Sequence, residues 1–117
     1  MLTKYEAPTY LPFYQGGPLK HAVLEYNNGL VNQVDTPQID WEDMNFIQMG
    51  RDTLFGVKDG STDTFRVSKR FAHDFEVEQL ASYPGEARTC PSLVNVNDRY
   101  AYMIAGEGFT SCLRYDL

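Results

Sequence analysis

His21 and His73 are the only histidines in the chain, so acid–base or metal chemistry has few places to start. Neither has a partner at the spacing of a metal motif such as HxxxH or CxxC, and each reads as a surface or capping side chain. Nucleophilic chemistry fares no better: there is no GxSxG elbow, and Ser111 stands at a strand start with nothing to activate it. Of the 16 carboxylates, Asp35, Asp40, Glu42 and Asp43 gather on either side of Trp41. Paired carboxylates can cleave glycosides, yet a solvated acidic loop accounts for this group more simply. Gly16-Gly17 and Gly106-Glu107-Gly108 have the flexibility of a phosphate cradle, but neither runs into Gly-Lys-Ser/Thr and no helix begins there, so both read as turns. Cys90 and Cys112 are too few for a disulfide framework, and whether they bond depends on a distance the sequence does not give. The residue types therefore predict no catalytic residue, no metal and no cofactor.

The elements behind these residues are bounded by composition. A chain of 117 residues has room for one domain, and 43% hydrophobic with 14% aromatic residues is enough for a packed core. Eight Tyr and seven Phe favour pleated sheets over helices. A net charge of −6 with scattered basic residues argues against nucleic acid as a partner, because phosphate binding needs clustered Lys and Arg. Met1 to Tyr10 is polar, carries Pro8 and does not read as a leader. No apolar run reaches the roughly 20 residues that span a bilayer. A soluble, cytoplasmic protein without membrane contact is expected.

The C-terminal quarter gives the clearest pattern. Leu93 to Val96, Tyr100 to Ile104 and Cys112 to Tyr115 read as three strands, cut apart by Asn97-Asp98-Arg99 and by Ala105-Gly106-Glu107-Gly108. The same form recurs in residues 10 to 26 and 53 to 68, with a strand, a break at Gly16-Gly17 or Asp59-Gly60, and a second strand. Gly17, Gly60 and Gly106 stand 43 and 46 residues apart, a period that fits one four-stranded blade. Asn27-Asn28-Gly29 is a hairpin turn leading into Leu30 to Val34, and Phe75 to Leu80 alternates as an outer strand guarded by Glu76 and Glu78. First strands are expected at about Leu2 to Tyr5, Phe46 to Met49 and Leu93 to Val96. YAYMIA, residues 100 to 105, is apolar enough for an inner strand covered on both faces.

Pro84 to Leu117 resembles a kelch repeat: Arg88 precedes the first strand, Tyr100 and Tyr102 sit on the second, Ala105-Gly106 closes it, and Tyr115-Asp116 ends the third. Residues 10 to 26 are similar to the same motif, whereas the middle unit carries Asp59-Gly60 at its break and no Trp on its fourth strand. The resemblance implies an all-β fold of antiparallel four-stranded blades in an incomplete β-propeller ring, with blades at about 1–36, 44–82 and 91–117 and the last blade lacking its outer strand. A small β-sandwich or barrel built from the same strands is the alternative.

Such a segment implies a non-catalytic protein-interaction or structural module, a scaffold within a larger protein or a hetero- or homo-oligomer. Its partners would be proteins or additional blades. Loops on one shared face are the expected contact surface, with Trp41, Asp59, Tyr83, Arg88, Glu107 and Phe109 as candidate binding residues. Packing is the competing role for Trp41 and Arg88, the latter through hydrogen bonds to loop carbonyls. The alternative function is a propeller-type enzyme or carbohydrate-binding module completed by other sequence or subunits; some kelch propellers are copper oxidases using Tyr, His and a Cys–Tyr crosslink. A freestanding barrel with a ligand pocket is a third reading.

Overall fold

Ten strands and no helix are found in the computed structural model, which describes residues 9–12, 21–36, 39–71 and 74–117. No helix among them is long and apolar enough to cross a membrane. The chain is all-β, as its aromatic and turn-residue content predicts, and the strands form three antiparallel sheets without a closed barrel among the described residues. It divides into two compact units, residues 1–42 and 43–117.

The N-terminal unit holds β1 (Thr9–Pro12), β2 (Ala22–Asn27) and β3 (Leu30–Asp35), paired in chain order. Asn28 and Gly29 turn between β2 and β3 with φ of 50° and 78°, so both positions are left-handed, as a two-residue hairpin requires. Val23 and its register partner Val34 are buried, whereas Tyr26 and its partner Val31 are exposed. The expected strand Leu2 to Tyr5 and the glycine pair Gly16-Gly17 lie outside the described residues.

In the second unit, β4 (Met44–Gln48), β5 (Thr53–Lys58), β6 (Thr64–Phe71) and β7 (Asp74–Leu80) form a four-stranded meander. Next come β8 (Ser92–Val96), β9 (Tyr100–Ile104) and β10 (Cys112–Asp116), a three-stranded one. Asn97 and Asp98 turn between β8 and β9, both with positive φ, and Arg99 N–H closes the turn on Val96 O at 3.2 Å.

These two sheets bury one face each against the other. Phe55 and Val57 of β5 meet Ala101 and Met103 of β9, with Ile47, Leu80, Leu93 and Leu113 around them. The Phe55 and Tyr115 rings lie 5.1 Å apart, within the range of favourable tilted aromatic pairs. β5 is enclosed on both sides, since Leu54 and its register partner Val67 on the opposite face are also buried. Gly56 in its middle is a fit to Met44, whose Sδ would stand 3.1 Å from an added Cβ.

β9 does not share that enclosure. YAYMI alternates, with Ala101 and Met103 buried, Tyr100 and Tyr102 half-buried and Ile104 exposed, so the expectation of cover on both faces is corrected. The outward face of this sheet carries Val94, Val96 and Ile104, 36–41% exposed, and Tyr100 lies under the guanidinium groups of Arg99 and Arg114, at 5.3 and 4.8 Å. β7 is an edge strand, as its alternation suggests, but Glu76 and Glu78 share the face of Leu80, which packs on the core.

Candidate functional site: loops held by a buried arginine

Three connections meet at one end of the second unit: the turn after β5 (residues 59–63), the segment from β7 to β8 (81–91) and the loop from β9 to β10 (105–111). Ser61 and Arg88 form an isolated antiparallel bridge. The Tyr83 hydroxyl donates to Ser61 O at 2.8 Å and accepts from Arg88 N–H at 2.8 Å, so one buried phenol joins the first two connections.

The Arg88 side chain joins the third. It is only 4% exposed, and a buried guanidinium must have its donors answered. Its Nη1 donates to Ala105 O at 2.7 Å and Ser111 O at 2.8 Å, and its Nη2 donates to Ser111 Oγ. Its plane lies 4.8 Å from the Phe109 ring. The backbone closes around it, with Glu107 N–H on Thr89 O at 2.9 Å and Gly60 N–H on Arg88 O at 3.2 Å. Gly106 is required here: its φ is 110°, and an added Cβ would stand 3.2 Å from Arg88 Cβ.

Asp59 fixes the rim. Its Oδ1 accepts from Asn45 Nδ2 at 2.5 Å and from Cys90 N–H at 2.8 Å. The Cys90 thiol points at Oδ2 from 3.7 Å. The Asp59 charge, followed by slight burial, the hydrogen bond to Asp59, and the charges of Glu107 and Asp43, raises the Cys90 pKa. A thiolate beside this carboxylate is costly, which makes Cys90 a poor nucleophile. Cys90 and Cys112 are both free thiols.

Five of the six candidate residues, Asp59, Tyr83, Arg88, Glu107 and Phe109, thus lie in one cluster. Arg88 and Tyr83 are buried in its frame, and Glu107 is exposed on its surface. Trp41 belongs to the N-terminal unit, where it is buried and its Nε1 donates to Thr36 Oγ1 at 2.8 Å. His21 also has a structural bond, between Nδ1 and Ile39 O at 2.9 Å, which requires the hydrogen on Nδ1. His73 lies outside the described residues. Among the described residues no group of three or more His, Cys, Asp or Glu side chains is arranged to hold a metal ion.

Sequence reasoning did not single out Asn45 or the role of Ser111, because a backbone carbonyl that answers an arginine leaves no mark on residue type. It also missed a cleft of about 220 Å³ at the other end of the same sheets. Arg66, Ser68, Glu76 and Glu78 line it, with Asp98 and Leu117, and Arg66 is ion-paired with Glu78. Compared with known protein families, curated proteins and solved structures, the chain matches none of them.

Proposed function

We propose that the chain is a non-catalytic protein-interaction or structural module of the cytoplasm, a kelch-like propeller segment working within a larger protein or multi-subunit assembly. The observation that carries this is the outward face of the β8–β10 sheet, where Val94, Val96 and Ile104 are all exposed on one side of three short strands. A sheet that has packed one apolar face and left the other in water is a surface for association. The chain-order meander β4–β7 is compatible with a propeller blade, and its face-to-face packing on β8–β10 supports the reading that a further sheet stacks in the same way. The loop cluster supplies a second contact surface, acidic at Asp59, Glu86 and Glu107, with its frame fixed by Arg88.

Light scattering over a concentration series tests the reading. The wild-type chain is expected to show a mass above that of one chain, rising with concentration. Val94→Asp/Ile104→Asp, which places charge on the exposed face without touching the buried one, is expected to return it to a single-chain mass. A folded wild-type chain that stays at single-chain mass throughout would refute the proposal.

A further inference from the structure

We propose that the β2–β3 turn is a self-modifying site, in which Asn28 deamidates through attack by the backbone nitrogen of Gly29 and the hairpin tip becomes a mixture of aspartate and isoaspartate. This chemistry stands apart from the interaction reading and does not depend on it.

The chain holds two turns in which an Asn or Asp side chain directly precedes glycine, Asn28-Gly29 and Asp59-Gly60. Their surroundings are opposite. Asn28 and Gly29 are both exposed. Among the described residues nothing bonds to the Asn28 side chain or to Gly29 N–H, and a Cβ added at Gly29 would meet no atom within 4 Å. The flanking side chains leave the turn open as well, since Tyr26, Leu30 and Val31 are 47%, 67% and 60% exposed. Parting Asn27 from Leu30 and Tyr26 from Val31 frees the tip without disturbing the buried pair Val23 and Val34, a local opening that costs far less than unfolding. Asp59-Gly60 has no such freedom. Gly60 N–H is bonded to Arg88 O at 3.2 Å, and Asp59 Oδ1 accepts from Asn45 Nδ2 and from Cys90 N–H.

The reaction needs only base and water. The Gly29 nitrogen, its proton taken by base, bonds to Asn28 Cγ; the bond from Cγ to Nδ2 breaks, and Nδ2 leaves as ammonia. Glycine permits this step because no Cβ hinders the approach of its nitrogen and its backbone turns freely. Water then opens the resulting succinimide at either ring carbonyl. One opening leaves an ordinary main chain with aspartate at position 28. The other routes the main chain through the former side chain and adds a methylene, which a two-residue hairpin turn does not accommodate. Both products place a new negative charge beside Tyr26, Leu30 and Val31, on a chain whose net charge is already −6. An exposed apolar tip thus becomes a charged one with time.

The test incubates the full folded chain in mildly alkaline buffer and maps it by mass spectrometry after digestion, beside synthetic peptides spanning each of the two turns. Asn28 is expected to convert in the folded chain within about tenfold of its rate in the peptide, and at least about tenfold more slowly in the Gly29→Ala chain. Asp59 is expected to isomerise at least about tenfold more slowly in the folded chain than in its peptide. Hydroxylamine, which cleaves succinimides, is expected to cut the folded chain between Asn28 and Gly29. Survival of Asn28 in the folded chain while its peptide converts would overturn the proposal. So would faster conversion of another asparagine, a rate indifferent to Gly29→Ala, or isomerisation of Asp59 as fast in the chain as in its peptide.

Discussion

β5 and β9 occupy the same position in neighbouring sheets, yet one is enclosed and the other half-open. TLFGVK has four consecutive buried residues, Leu54 to Val57, whereas YAYMI has two, Ala101 and Met103, separated by half-buried tyrosines. Judged by hydrophobicity alone, YAYMI is the better candidate for enclosure. The difference lies in what stands on each side of the sheet. Both faces of β5 carry fully buried side chains, Phe55 on one and Leu54 on the other, whereas the outward face of β9 ends in exposed Ile104, so apolar sequence is necessary for enclosure and insufficient to produce it.

The largest test of that contrast is truncation on either side of it. Phe55→Ala, at a fully buried position against Tyr115, should cost about 3–5 kcal/mol. Ile104→Ala, at 40% exposure, should cost about 0.5 kcal/mol. Urea denaturation of both variants measures the difference, and equal losses would show that the outer face of β9 is covered in solution.

A smaller effect separates sheet packing from loop bonding. Arg88→Ala removes the charged donors to Ala105 O, Ser111 O and Ser111 Oγ from a buried position, and should cost about 3 kcal/mol. Arg88→Lys should recover little of this, because an ammonium cannot fork between the two carbonyls and Ser111 Oγ. If thermal unfolding showed full rescue by lysine, the positive charge rather than the fork would be holding the loops.

The smallest effect leaves stability aside. With Asp59 beside it, Cys90 ionises above the ordinary thiol range, so its alkylation should rise with pH later than that of a free thiol. Asp59→Asn removes the negative charge, makes the thiolate less costly, lowers the pKa and should speed alkylation severalfold at about pH 8. Mass-resolved labelling of Cys90 reads the rate. An unchanged rate would mean that the thiol does not face Asp59.

The hairpins were the most legible part of this sequence. Asn28-Gly29 and Asn97-Asp98 carry their turn geometry in their residue types, and the strands flanking them fall within a residue or two of where alternation and turns put them. The meeting of Asp59, Tyr83, Arg88, Glu107 and Phe109 was legible only as a consequence of strand direction, since loops at the same ends of stacked meanders come together. What escaped was everything decided between layers. The placement of Glu76 and Glu78 on the core-facing side of β7 and the exposure of Ile104 depend on what lies across from each side chain, which no local pattern encodes.

Every described strand pairs only with a strand beside it in the chain, and no crossover joins one sheet to another. Search through the unfolded ensemble is therefore short, since each ladder closes over a few residues before any distant meeting is needed. Contacts between sheets, by contrast, join residues far apart in the chain and carry the larger closure entropy.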